Sequence, residues 1–184
     1  MNDWTQEGSV WVRNDQHEAH ALKLAFWPSE GAVVAFTGHR PNKLPFDVKP
    51  VLAWCLERLE ALKPSKVISG MALGVDMLAA AAAVKLHIPF IAAVPFEGQD
   101  VLWGESHRET YRKLLAKAEE VVHVSDPGYE AWKMHARNHW MVDRCNLLLA
   151  VWDGTAGGTK ACVEYAFKKK VVVECFSQPG RPLR

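Results

Sequence analysis

From residue 32 onward, short unbroken apolar runs alternate with amphipathic segments, and this alternation constrains the fold more than any other feature of the chain. AVVAFTG (32–38), KVISG (66–70), FIAAVP (90–95), EVVHVS (120–125), NLLLAVW (146–152) and VVVECF (171–176) have the length and composition of strands. NLLLAVW is apolar throughout, as a strand covered on both faces must be. Between these runs the spacing changes to that of helices, over 48–62, 76–87, 106–118, 129–145 and from Thr159 toward a lysine-rich end. In VKPVLAWCLERLEAL, for example, Val51, Cys55, Leu59 and Leu62 fall on one stripe. Strands and helices linked this closely require right-handed crossovers. The predicted fold is therefore α/β and Rossmann-like: a doubly wound, mostly parallel sheet with helices on both faces.

A chain of 184 residues suits one such domain, and 49% hydrophobic with 23% charged residues excludes wholesale disorder. No apolar run is long enough to span a membrane, and MNDWTQEGSVWVRND lacks the basic and apolar regions of a secretory leader, so a cytoplasmic location is expected. Cys55, Cys145, Cys162 and Cys175 show no CxxC spacing and read as reduced thiols, not disulfides or zinc ligands. A net charge of +1 disfavours a protein that holds long nucleic acid by neutralising phosphates. Residues 32–184 are assigned to the domain and residues 1–31 to an N-terminal extension. Within it, SVWVRN and LKLAFW alternate loosely and are expected to pair as a hairpin on the sheet edge. Trp4, Trp11, Phe26 and Trp27 suit packing against the domain. His17 and His20 have the chemistry of metal ligands but no third partner in view, so no metal is assigned.

In an open parallel sheet, ligands bind beyond the carboxyl ends of the strands, where the strand order reverses. Three predicted strand ends carry chemistry suited to that edge. TGHRPNK (37–43) supplies Thr37, Gly38, His39 and Arg40; an arginine fork beside exposed backbone suits phosphate or carboxylate. SGMALGVD (69–76) supplies Gly70, Gly74 and Asp76 at the start of a helix. WDGTAGGT (152–159) supplies Asp153, Gly154, Gly157, Gly158 and Thr159 in a strand-to-helix turn, whose free N–H groups and helix dipole suit an anion. Any one of these turns has an ordinary structural explanation, as a solvated charge, a helix-dipole partner or close helix–strand packing. Three on one edge point to a phosphate-bearing small molecule. Asp76 and Asp153 would repel a bare phosphate, so they are placed at the sugar end, accepting ribose hydroxyls. On the helix 129–145, Met134, Asn138, Met141 and Cys145 share a face, so the Asn138 amide must bond the turn backbone or the ligand. Arg137 flanks that face and is expected to reach a phosphate or Asp153. Phe96 and Trp103 lie near the edge and are read as packing residues.

These motifs, TGHRPNKL, SGMALGVDMLAA, VPFEGQDVLW, HARNHWMVDRCNLLLAVWDGTAGGT and VEYA, resemble the YpsA-like branch of the SLOG superfamily, a Rossmann-like group related to DprA and to the LOG phosphoribohydrolases. The resemblance covers about residues 33–175. It implies binding of a nucleotide or nucleotide-derived ligand at the glycine-bearing strand ends, with no cofactor. LOG enzymes carry PGGxGTxxE and a helical arginine. Here DGTAGGTKACVE lacks the proline and places Glu164 five residues after Thr159, which turns the carboxylate by roughly 200° on a helix. Glu164 is therefore not assigned a catalytic role, and Arg137 matches the helical arginine only by position. SGMALGVD also resembles the turn of DprA-like proteins, which hold single-stranded DNA. The expected partner is a nucleotide or nucleotide-like small molecule, with homo-oligomerisation left open. The alternatives are a nucleotide N-glycosidase and a nucleic-acid or protein-partner module. A carboxylate–arginine pair facing the pocket would favour the enzyme; a continuous basic stripe would favour nucleic acid.

Overall fold

The hydrophobic alternation folds as its periods require. The computed structural model describes residues 3–7, 10–25, 27, 31–44 and 47–176. Strands β1 (Trp4–Glu7) and β2 (Val10–Arg13) precede helix α1 (His17–Ala25). The remaining elements alternate: β3 (Val33–Gly38), α2 (Val48–Leu62), β4 (Lys66–Ser69), α3 (Val75–Lys85), β5 (Phe90–Val94), α4 (Glu105–Leu115), β6 (Glu120–His123), α5 (Ala131–Val142), β7 (Leu147–Val151), α6 (Gly158–Lys168) and β8 (Val172–Phe176). They build one eight-stranded sheet in the order β1-β2-β8-β7-β3-β4-β5-β6, parallel except for β1 and β2. The order reverses between β3 and β7, so their carboxyl ends flank the switch point.

Each central strand sends alternate side chains to two cores. Leu147, Leu149 and Val151 of β7 join Val34 and Phe36 of β3 on the face covered by α2, α3 and α4. Leu148 and Ala150 join Ala35 on the face covered by α5 and α6. The sequence supplies the helix ends as well. Asp47 accepts a bond from the Lys49 N–H to open α2; Lys63, in the left-handed region at φ 45°, closes it just before Pro64. The alanines of α3 let it lie close to β3, β4 and α2, and Ala79, Ala80, Ala82 and Ala83 are fully buried. Cys55, Cys162 and Cys175 are buried, Cys145 is half-buried, and all four are free. Burial pushes the Cys55 and Cys145 thiols up to about 12.

The N-terminal segment departs from its expected form. SVWVRN contributes β2, but its hairpin partner is β1, and β2 in turn pairs antiparallel with β8. Lys23 to Ala25 of the LKLAFW run end α1 instead of forming a strand. Its three successive Leu, Lys, Leu residues fit a helix turn as well as a strand, and α1 packs along β8, which decides between them. Phe26 and residues 177–184 of the assigned domain lie outside the described residues. Among the described residues, no helix is long and apolar enough to cross a membrane.

Candidate functional site

The three motif-bearing turns converge at the switch point. The loop after β3, the loop before α3, the middle of α5 and the start of α6 enclose a cavity of about 320 Å³. Of the residues expected at a site, Thr37, Gly38, His39, Arg40, Asp76, Arg137, Asn138, Gly157, Gly158 and Thr159 line it. Asn42, Lys43, Ala72, Met134 and Ala156 line it too. Asn42 and Lys43 sit inside the TGHRPNK motif, where a count of charge alone could have found the lysine. Ala72 and Ala156 have no polar side chain to mark them.

One wall of the cavity is made by the start of α6 and the loop after β3. Helix α6 opens on Gly157 and Gly158, with no side chain capping its first N–H groups. Gly157 has φ 153° and ψ −168°, a conformation open essentially only to glycine. A Cβ placed on Gly158 would meet nothing within 4 Å, so a side chain there would project into open space. Thr159, the second residue of the helix, is 6% exposed and lines the cavity beside these glycines. Arg40 and Lys43 stand opposite on the loop after β3. Uncapped N–H groups, a helix dipole and two cations give this end a positive electrostatic character.

The other wall holds a buried charge pair. Arg137 reaches from α5 across the end of β4; its Nη1 donates to the Gly70 carbonyl and to Asp76 Oδ2 at 3.3 Å. Its Nε donates to Asn138 Oδ1 at 2.9 Å. The Asn138 amide donates in turn to the Gly158 carbonyl at 3.4 Å, which ties α5 to the glycine turn. Asp76 also accepts from the Ala72 N–H at 3.3 Å. Burial raises the Asp76 carboxyl above its ordinary value, and Arg137, the Ala72 N–H and Arg40 offset only part of that rise.

The remaining expected residues lie behind the wall. Gly70 and Gly74 do not line the cavity. A side chain on Gly70 would collide with Arg137 and Asp76, and Gly74, at φ 98°, would put a Cβ 2.6 Å from the His39 carbonyl. Their glycines let the α3 turn and Arg137 come together. Asp153, expected beside a sugar, is absent from the cavity lining and is half-buried. It accepts from His39 Nε2 at 2.9 Å, from the Thr155 hydroxyl at 2.6 Å and from the Thr155 N–H at 3.0 Å. Burial pushes Asp153 upward, but the two Thr155 bonds and His39 outweigh it and leave the carboxyl below its ordinary value. Asp153 thus orients His39, which lines the cavity. Gly154, at φ 90°, only turns the chain out of β7. Phe96 packs edge-on against Tyr129 and Trp103 against Tyr111, as packing residues should. His20 Nε2 lies 2.9 Å from Glu174 Oε1, and no group of three or more His, Cys, Asp or Glu residues is arranged to hold a metal among the described residues.

Relatives share this frame. The SPbeta prophage-derived protein YoqJ of Bacillus subtilis is 34% identical over 119 residues, spanning 56% of this chain and 70% of YoqJ. A UPF0398 protein of Bacillus thuringiensis is 29% identical over 116 residues, spanning 60% of this chain and 62% of its own length. Among solved structures, DNA processing protein A (DprA) of Streptococcus pneumoniae superimposes with a TM-score of 0.60 at 21% identity, covering 83% of this chain but about half, 51%, of DprA. The molybdenum cofactor binding protein of Rippkaea orientalis gives a TM-score of 0.54 at 19% identity, covering 79% of this chain and 76% of that one. At those identities the structural likeness establishes the fold. The family model described as the YspA SLOG family, YpsA, matches residues 34–174, from the first parallel strand to the last and through all three motif-bearing turns. The chain belongs to the YpsA family of SLOG proteins.

Proposed function

We propose that this protein binds a nucleotide or nucleotide-derived ligand, with its phosphate on the α6 N-terminus opposite Arg40 and Lys43. One observation carries the reading: a cavity at the switch point joins uncapped helix N–H groups to a buried arginine–carboxylate pair. Phosphate suits the first end and a polar, uncharged portion suits the second. The ligands named for the structural neighbours, single-stranded DNA for the Helicobacter pylori DprA and molybdenum cofactor for the Rippkaea protein, also contain phosphate. Thermal shift against mono-, di- and cyclic nucleotides and ADP-ribose tests the reading. At least one should stabilise the protein at millimolar concentration. Gly158→Leu should abolish that shift while leaving the empty protein's melting temperature nearly unchanged, because the new side chain enters open space. No stabilisation by any member would overturn the proposal.

A second reading, cleavage of an N-glycosidic bond, has one feature in its favour: Asp76 and Arg137 line the same cavity. A carboxyl raised by burial is suited to hold a proton near a leaving base. Chromatography of nucleotides incubated with the protein would decide it, with Asp76→Asn as control. Base release abolished in that variant would promote the enzyme over the binding protein.

A further inference from the structure

The pair formed by Asp76 and Arg137 is incomplete in a particular way. Two such groups usually meet through both carboxylate oxygens and two guanidinium nitrogens. Here a single bond joins them, Nη1 to Oδ2. Among the described residues, Asp76 Oδ1 accepts no hydrogen bond and Arg137 Nη2 donates none, although the two residues are 5% and 6% exposed. A side-chain acceptor and a side-chain donor are thus left open on neighbouring groups that both line the cavity. Neither atom is among the fully buried side-chain atoms left without a partner, so each is reachable from solvent and free to bond a ligand.

The chemistry that fits one free acceptor beside one free donor is a vicinal diol. One hydroxyl donates to Asp76 Oδ1 while its neighbour accepts from Arg137 Nη2. A phosphate does not fit, because Asp76 would repel it. The spacing agrees. Asp76 follows β4 and the α6 N-terminus follows β7, with β3 between them, so the two ends are separated by two strand spacings, roughly 10 Å. Once a hydrogen bond is allowed at each end, that gap holds about one pentose phosphate.

We infer that the cavity selects ribose over deoxyribose, with Asp76 and Arg137 reading the 2′,3′-diol of a ligand whose 5′-phosphate lies on the α6 N-terminus. This rests on the phosphate placement proposed above and sharpens it to a substrate class: ribonucleotides or other ribose 5-phosphates. Deoxynucleotides and single-stranded DNA lose one of the two bonds. A site built around a substrate hydroxyl discriminates strongly against the analogue lacking it, because its own polar atoms are then left unpaired.

Titration calorimetry on the wild-type protein tests the inference with matched pairs. The probes are ribose 5-phosphate against 2-deoxyribose 5-phosphate, and AMP, GMP, CMP and UMP against their 2′-deoxy forms. Inorganic phosphate serves as an anion-only control and a thymidine oligomer as the DNA probe. The expected result is that the ribose members of at least one pair bind tenfold or more tightly than the deoxy members. In Asp76→Asn, affinity for the ribose members should fall to that of the deoxy members, with affinity for inorganic phosphate unchanged. The wild-type comparison stands by itself if that variant fails to fold. Equal affinity within every pair would overturn the diol inference and leave nucleotide binding intact. Tighter binding of the thymidine oligomer would overturn it in favour of DNA. Absence of binding by every sugar phosphate at millimolar concentration would overturn both this inference and the function it rests on.

Discussion

Among the described residues, two arginine–carboxylate pairs hold a buried carboxylate, and they are finished to different degrees. Beneath the N-terminal segment, Glu174 of β8 is fully buried. Arg58 of α2 grips it with Nε to Oε2 at 2.8 Å and Nη2 to Oε1 at 2.9 Å, and His20 of α1 closes on Oε1 at 2.9 Å. Every oxygen of that carboxylate is occupied by the protein. At the carboxyl edge, Asp76 and Arg137 share one bond and keep an acceptor and a donor open toward a cavity. The first pair resembles a rivet, because it pins three elements together and leaves no carboxylate oxygen unpaired. The second is a pair held ready. A fully bonded buried pair stabilises or specifies structure, whereas the pair at Asp76 and Arg137 lines a cavity with bonding capacity to spare.

Breaking the closed pair should have the largest effect on the fold. Glu174→Gln removes the charge that balances Arg58 in a buried setting, and such removals cost about 3–5 kcal/mol. Chemical denaturation should show that loss, while the folded fraction binds ligand as the wild type does. A change in ligand affinity of the folded protein would mean that the two pairs are coupled through β8 and β7.

Arg137→Ala sharpens the contrast because it should affect both stability and binding. From the sequence, Arg137 flanks the shared face of its helix and Asp153 is one of its expected partners. The structure corrects this: Arg137 is buried and bonded to Gly70, Asp76 and Asn138. Its removal strands a buried Asp76, so a loss of about 2–4 kcal/mol is expected, together with at least tenfold weaker ligand binding. Denaturation with and without ligand separates the two terms. A stability loss with unchanged affinity would make this pair a second rivet.

The two aspartates of the edge should titrate in opposite senses. Burial holds the folded-state pKa of Asp76 above its unfolded value near 3.8. Its contribution to stability is therefore complete below that value and is lost as pH rises through the folded pKa. Asp153 is held below its ordinary value, so its contribution is present above 3.8 and is lost as pH falls through the folded pKa. Relative to wild type, Asp76→Asn should gain stability as pH rises from about 4 toward neutrality. Asp153→Asn should be the less stable protein at neutral pH and should approach wild type in acid. Urea denaturation from neutrality down into acid below the folded pKa of Asp153 reads both slopes. Parallel slopes would show that the two carboxyls share one environment and that the open and closed distinction fails at this edge.

The fold was legible because it depends on local period. Val51, Cys55, Leu59 and Leu62 announced α2, and the alternation of β7 between two cores follows from an unbroken apolar run. The site was legible only as motifs. WDGTAGGT and TGHRPNK reached the cavity because each is a contiguous turn at a strand end. What stayed hidden are partners far apart in sequence. Nothing local tells that Asp153 bonds His39, 114 residues away, or that Gly70 is a glycine because Arg137 arrives 67 residues later. The closed pair was hidden for the same reason: Glu174 sits in a run that reads only as a buried strand, and its partners Arg58 and His20 come from helices on two other segments.

The smallest effect expected is at Glu164, and its smallness is informative. It lies in WDGTAGGTKACVE, near where LOG enzymes carry their glutamate, yet its side chain is 60% exposed and pairs with Lys160 at 3.6 Å along the outside of α6. The two-residue displacement has turned it away from the cavity, whose lining includes Thr159 but not Glu164. An exposed pair four residues apart on a helix is worth roughly 0.3–0.5 kcal/mol. Glu164→Gln should therefore shift stability by no more than that and leave the affinity for every ligand of the panel unchanged. Any base release should persist in the variant. If Glu164→Gln weakened binding or abolished turnover, α6 would have to rotate on ligand binding to bring that face inward. The open pair at Asp76 and Arg137 would then be only part of a site completed by the ligand itself.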